Sequence, residues 1–282
     1  MHEIFRVSFE SKCICYISAI YKHDYVIERI GPCTGFFWRH ENIPYLVTNR
    51  HCVTGRDEFN CPIGSTGRIP THLQVYFPQE QEKIGTDAHI YKSSAIEVAL
   101  YDDGQPTWFE HATGKTIDIA AIALDQPYPV KVHCVNDREQ IKDWMIEAGS
   151  DCFIVGYPEG LGGPEGTPIW KRGSIASEPE LDYKETPCFL CDSATRPGLS
   201  GSPVFGKAVG QFGPEGRRLE VSVSRPQFFG YWPIFLGIYS GRYGDETDGF
   251  QLGRVWKATA LQELFDSKTI ATNPNIVECS RE

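Results

Sequence analysis

The sequence predicts an all-β protein, and three observations carry that prediction. Its 282 residues include 27 Gly and 19 Pro, the residue types that punctuate tight turns. Aromatic side chains are plentiful, with 16 Phe, 13 Tyr and 6 Trp against 2 Met, a balance that suits pleated, half-buried surfaces better than helix seams. Short apolar runs recur along the chain with turn signals between them.

Taken in order, the runs Tyr45–Thr48, Leu73–Phe77, Ile117–Leu124, Cys152–Gly156, Pro203–Phe205, Val221–Val223 and Ile234–Tyr239 read as strands, because each is rich in β-branched or aromatic residues. Asp102-Asp103-Gly104 closes a hairpin joining Ile96–Tyr101 to Pro106–Phe109. Segment 134–149, centred on Asn136-Asp137-Arg138-Glu139-Gln140, is the most polar mid-chain stretch, so it reads as a linker between a first β unit over 1–133 and a second over 150–253. Segment 206–233, with its Gly, Pro and Arg217-Arg218, reads as an extended, decorated surface hairpin. Within the terminal segment 254–282, Val255, Ala258, Leu261, Leu264 and Phe265 fall at three- and four-residue spacing, which predicts one amphipathic helix.

Composition excludes several roles. A net charge of −10 and a pI near 5.3 oppose the phosphate attraction on which nucleic-acid affinity rests. No apolar run approaches the roughly 18 residues needed to span a bilayer, so no membrane partner is expected. The opening Met1-His2-Glu3-Ile4-Phe5-Arg6 lacks the apolar block of a secretory signal, which makes the expected location cytoplasmic. In that compartment the ten cysteines are expected to be reduced. Cys188 and Cys191 form a lone C-x-x-C without a second pair, and Cys13 and Cys15 alternate as strand residues on one face would, so neither a metal nor another cofactor is expected.

The chemistry sits elsewhere. Gly198-Leu199-Ser200-Gly201-Ser202-Pro203 sets a serine between glycines just before an apolar run, where missing side chains let backbone N–H groups approach an oxyanion. Val47-Thr48-Asn49-Arg50-His51 ends a strand in an imidazole. Thr116-Ile117-Asp118-Ile119 buries a carboxylate in an apolar strand, where an unpaired charge costs on the order of several kcal/mol, so it needs a partner. Chain order narrows the choice of fold. All eight histidines precede Ser200, which excludes the α/β-hydrolase order if Ser200 is the nucleophile, and the only aspartate before His51 is Asp24, which lacks the context the subtilisin order needs. His51, Asp118 and Ser200 remain.

Five stretches spanning roughly 33 to 241 then resemble trypsin-like (chymotrypsin-fold) serine peptidases, closest in style to bacterial HtrA-type protease domains without their PDZ modules. Cys33–Phe37 followed by Tyr45–His51 resembles the strand pair leading to the catalytic histidine, and Asp118–Leu124 the segment of the catalytic aspartate. Cys152–Pro158 is similar to the opening of a second barrel, Phe189–Ala194 and Pro197–Pro203 to the nucleophile loop and its approach, and Leu236–Gly241 to the strand lining the primary specificity pocket. The resemblance implies two six-stranded antiparallel β-barrels and a cleft between them. It makes Ser200 the nucleophile, His51 the general base and Asp118 its orienting acid. The backbone N–H groups of Gly198 and Ser200 become the oxyanion hole, and Ala194, Tyr239, Ser240 and Gly241 the substrate-binding residues, with Ser240 also bonded to Asp118.

The chain departs from the family pattern in three places. Leu199 replaces the aspartate that pairs with a newly cut N-terminus, so no activation by N-terminal cleavage is expected. Ala194 stands where an aspartate would select Arg or Lys, which points instead to a small or apolar primary residue, with Asp192 nearby. Cys33 and Cys52 occupy the positions of a disulfide beside the histidine in extracellular relatives, and the cytoplasmic reading favours free thiols. The function expected is a serine endopeptidase acting on protein or peptide substrates, with room for a regulatory partner protein. An inert protease-fold module that binds peptides, and an esterase using the same site, are the other readings.

Overall fold

The computed structural model describes residues 7–64, 66–84, 88–125, 131–138, 146–212, 228–243 and 251–280. After a one-turn helix, α1 (Phe9–Lys12), the chain forms β1 (Ile14–His23), β2 (Val26–His40) and β3 (Ile43–Thr48), the short helix α2 (Arg50–Thr54), then β4 (His72–Ile84) and β5 (Ala88–Ala99). The small hairpin of β6 (Tyr101–Asp102) and β7 (Gln105–Pro106) follows, then β8 (Trp108–Glu110) and β9 (Ala120–Ala123). The second unit comprises β10 (Asp151–Gly156), β11 (Ile169–Ile175), β12 (Cys188–Asp192), β13 (Pro203–Phe212), β14 (Phe228–Arg242) and β15 (Leu252–Lys257). Helix α3 (Ala258–Ser267) and the two-residue β16 (Thr269–Ile270) return to the first unit.

The second unit closes into a six-stranded barrel in the order β10-β11-β12-β15-β14-β13. The first unit is consistent with the second barrel that the resemblance implies. It is an eight-stranded sheet in the order β16-β8-β9-β3-β2-β1-β4-β5, with no closing ladder among the described residues. The reason is local: beyond β5 the chain turns through β6 and β7, and Thr107 meets the end of β5 by isolated bonds, its N–H donating to Leu100 O at 3.0 Å and its hydroxyl to Ala99 O at 2.9 Å. The sheet curls around a buried cluster that includes Ile17, Phe37, Leu46, Val75, Trp108 and Ile122.

The two units share a core. Phe36, Tyr45 and Val47 of the first pack in one buried cluster with Val155, Phe205, Phe235 and Trp256 of the second and with Leu261, Leu264 and Phe265 of α3. The Phe36 and Phe235 rings lie 5.5 Å apart, a contact of about 0.5–1.5 kcal/mol beyond simple burial. This seam fixes the two sides of the cleft relative to each other.

Several sequence-derived boundaries move. β15 runs to Lys257, past the expected unit boundary at 253, so Val255 is a buried barrel residue and the helix begins at Ala258. In the expected linker, the 3₁₀ turn Val135–Asp137 docks on β2: Arg39 N donates to Asn136 Oδ1 at 2.8 Å, Asn136 Nδ2 to Arg39 O at 2.7 Å, and the Arg39 guanidinium pairs with Asp137. Its polar residues satisfy a strand edge, which is why a polar stretch here is not a free connection. Of the 206–233 segment, the described parts pair antiparallel, from Gly206 with Ile234 to Phe212 with Phe228, while 213–227, including Val221–Val223, lies outside the described residues.

The cysteine expectation fails at one pair, because Cys61 and Cys279 form a disulfide that joins the loop after α2 to the C-terminal segment. The other eight cysteines are free and buried, Cys33 and Cys52 among them. Burial and the neighbouring Cys33 push the Cys52 thiol well above its ordinary pKa. No helix among the described residues is long and apolar enough to cross a membrane.

Candidate active site

His51 sits in the first turn of α2, directly after β3. The helix lasts five residues because Gly55 turns into the left-handed region at φ 61° and returns its N–H to His51 O at 2.9 Å. Asp118 precedes β9, which pairs with β3 (Thr48 opposite Ala120), so the ladder brings the carboxylate alongside α2. Asp118 Oδ1 accepts the His51 backbone N–H at 2.8 Å, and Oδ2 lies 2.6 Å from His51 Nδ1. Ser240, from β14 of the second unit, donates its hydroxyl to the same Oδ2 at 2.6 Å. Asn49 Nδ2 donates to Asp118 O at 2.7 Å and fixes the residue's backbone as well.

These contacts set the charge state. Burial disfavours the Asp118 anion, but His51 and the hydrogen bonds from His51 and Ser240 outweigh it and hold the carboxyl below its usual pKa. Burial likewise opposes an imidazolium at His51, and the Asp118 carboxylate more than offsets that, leaving the imidazole well above its ordinary value. With Nδ1 committed to Asp118, Nε2 is the ring nitrogen left for a proton transfer.

The Ser200 loop is held from both units. Thr34 N donates to Ser200 O at 2.8 Å, Gly201 N to Tyr239 O at 2.9 Å and Ser202 N to Leu199 O at 3.0 Å. The Thr34 hydroxyl donates to Gly198 O at 2.7 Å and accepts from Tyr157 N at 3.0 Å. Gly201 adopts φ 84°, and a Cβ there would come within 2.1 Å of Thr34 O, so only glycine fits against β2. Gly198 is also left-handed, at φ 93°. Among the described residues, the N–H groups of Gly198 and Ser200 donate to no backbone carbonyl. Two unengaged donors beside a serine hydroxyl are what stabilisation of a developing oxyanion requires.

His51, Asp118, Ser200, Ser240 and Gly241 line one cleft of about 410 Å³ with Arg50, Lys115 and Arg242. No hydrogen bond joins Ser200 Oγ to His51 among the described residues; such bonds are often long before substrate binds. Ala194 lies apart from this group, in a larger adjoining cavity of about 1160 Å³. Tyr239 is not a cleft residue: its ring is 1% exposed in the second barrel's core, its hydroxyl bonded to Thr195, and only its backbone reaches the Ser200 loop. In an alternating strand, the residue before Ser240 must point inward when Ser240 points to the cleft. Thr34, Asn49 and Arg242 contribute to the site without a local sequence signal. Thr34 lies within the Cys33–Phe37 stretch, but nothing in sequence marks a threonine as a bridge between units.

The chain matches the family model of the trypsin-like peptidase domain over residues 33–212. No curated protein matches it. Among solved structures, it is similar to Rv3671c from M. tuberculosis H37Rv, seen as a mutant in an inactive form, with 13% identity over 92% of this chain and 87% of that one at a TM-score of 0.43. The family match runs from β2, through His51 and Asp118, past Ser200 to the end of β13, and on that span the chain belongs to the trypsin-like peptidase domain family.

Proposed function

We propose that the chain is a serine endopeptidase that cleaves protein or peptide substrates at Ser200 through an acyl-enzyme. The observation that carries this reading is the hydrogen-bond chain Ser240–Asp118–His51 opening on the same cleft as Ser200. In the proposed cycle His51 Nε2 takes the Ser200 proton as the hydroxyl attacks the scissile carbonyl, then delivers it to the leaving amine. Asp118 holds the tautomer and stabilises the imidazolium. The N–H groups of Gly198 and Ser200 receive the oxyanion, each donor contributing about 3–4 kcal/mol to the transition state. Leu199 leaves no carboxylate for a new N-terminus, so activity needs no N-terminal trimming. The eight free thiols support a cytoplasmic location and the single disulfide opposes it.

The second reading is an inert peptide-binding module on the same fold. Reaction with a fluorophosphonate probe separates the two. The wild type labels and Ser200→Ala does not; equal labelling of both, or labelling of neither, removes Ser200 from the nucleophile role.

A further inference from the structure

The larger cavity beside the Ser200 cleft carries a charge pattern that the sequence-based expectation of a small or apolar primary residue does not anticipate. Ala194 and Thr195 line it and bring no charge. Its walls bring three cations, Lys171, Arg196 and Arg242, against one lining acid, Glu159. Among the described residues none of the three cations is paired with a carboxylate. Arg242 is the link to the chemistry, since it lines both this cavity and the cleft of His51 and Ser200. It is also held in place, because its Nη2 donates to Thr195 O at 3.0 Å, leaving the rest of the guanidinium fork for a ligand.

We propose that Arg242 selects an acidic side chain, Glu or Asp, on the acyl side of the scissile bond, with Lys171 and Arg196 adding to the positive field of the pocket. This rests on the endopeptidase reading and names its substrate class. A guanidinium suits a carboxylate because it offers parallel donors in a fixed plane, and a carboxylate bound there leaves no buried acid uncompensated, Ala194 being neutral. Glu159 lowers the net positive charge of the wall without reversing it. The exposed position of Arg242 makes the preference sensitive to salt, since surface charges are screened over about 10 Å at 0.1 M ionic strength.

The test uses the full chain and peptidyl diphenyl phosphonates that modify the active serine and differ only in the residue next to phosphorus: Glu, Gln, Leu or Lys. The readout is the second-order rate of Ser200 modification, taken as a ratio within each variant so that a general loss of reactivity cancels. The wild type reacts with the Glu reagent at least about tenfold faster than with the isosteric Gln reagent, and the ratio shrinks as salt is raised. Arg242→Lys retains a preference for Glu, Arg242→Gln brings the ratio to about one, and Arg242→Glu favours Lys. A Glu-to-Gln ratio of one in the wild type, or the same ratio in wild type and Arg242→Gln, overturns the assignment. So does a wild-type preference for Lys. A chain that labels with a fluorophosphonate yet shows no Glu preference overturns the Arg242 assignment alone. A chain that labels with neither reagent overturns the endopeptidase reading first and this inference with it.

Discussion

Thr34→Val tests whether the Ser200 loop is held in place from the opposite unit. The substitution keeps the side chain's shape and removes one oxygen. That oxygen is fully buried, donates to Gly198 O at 2.7 Å and accepts from Tyr157 N at 3.0 Å. Without it, one carbonyl and one N–H lose their partner where water does not reach. At about 1–3 kcal/mol for each orphaned group, the chain loses about 2–5 kcal/mol of stability, and the added methyl recovers little of that. The backbone on either side of Gly198 is fixed by two bonds, Thr34 Oγ1 to Gly198 O and Glu159 N to Pro197 O at 2.6 Å, and the mutation removes the first. The Gly198 N–H then loses its alignment, and the rate of fluorophosphonate labelling falls about 10- to 100-fold, less than the loss of a whole oxyanion donor at its upper limit. Thr34→Ser keeps both hydrogen bonds and loses only a methyl group, at a cost of about 1 kcal/mol. Urea unfolding followed by circular dichroism, read at constant m, measures the first quantity and labelling kinetics the second. If Thr34→Val lies within about 0.5 kcal/mol of the wild type, or Thr34→Ser is as damaging, the hydroxyl is not the link between the units.

Other outcomes follow from the same geometry. Because activity needs a neutral imidazole and Asp118 raises the His51 pKa against the effect of burial, the rate of Ser200 modification rises with pH through a midpoint above the usual histidine value of about 6.5. Asp118→Asn lowers that midpoint and reduces the rate by about 10⁴; an unchanged midpoint in a pH–rate profile refutes the pairing. In the folded state the Asp118 pKa is lowered and the His51 pKa raised, so their pairing stabilises the chain fully between the unfolded values of about 4 and 6.5. That contribution fades as pH falls through the lowered carboxylate pKa or rises through the raised imidazole pKa, a difference visible between wild type and Asp118→Asn in thermal unfolding across pH. Reducing the Cys61–Cys279 bridge, which spans 218 residues of sequence, lowers stability by about 2–5 kcal/mol; identical unfolding of wild type and Cys279→Ser without reductant shows that the bridge does not form in solution.

The parts legible in the sequence were those whose physics is local. Ser200 between two glycines, a histidine at the end of Tyr45–Thr48 and a carboxylate in an apolar run each announce an unusual environment within a few residues. The strands built on β-branched runs were legible for the same reason, whereas β1 and much of β5 were not, because lysine, serine and glutamate interrupt them. Only the family resemblance points to Ser240. The contributions of Thr34, Asn49 and Arg242 depend on partners 164, 69 and 47 residues away, and no local pattern encodes such a distance. The inward orientation of Tyr239 follows from strand alternation once Ser240 is taken to face the cleft. The Cys61–Cys279 bridge joins two irregular segments that neither periodicity nor motif places side by side.

The candidate site is built by exchange between the two units, and this explains why their shared core matters to the chemistry. The first unit supplies the imidazole and its carboxylate, but the second unit's Ser240 caps that carboxylate. The second unit supplies the serine and the N–H pair, but the first unit's Thr34 holds the carbonyls of Gly198 and Ser200. Each half is thus positioned by a group belonging to the other, and the three hydrogen bonds involved would tolerate little displacement, since a bond of 2.6–2.8 Å weakens steeply when stretched or bent. Neither unit alone contains a complete, oriented site. The aromatic seam of Phe36, Phe205 and Phe235 therefore does more than stabilise the fold, because its close packing fixes the separation at which those cross-unit bonds can form.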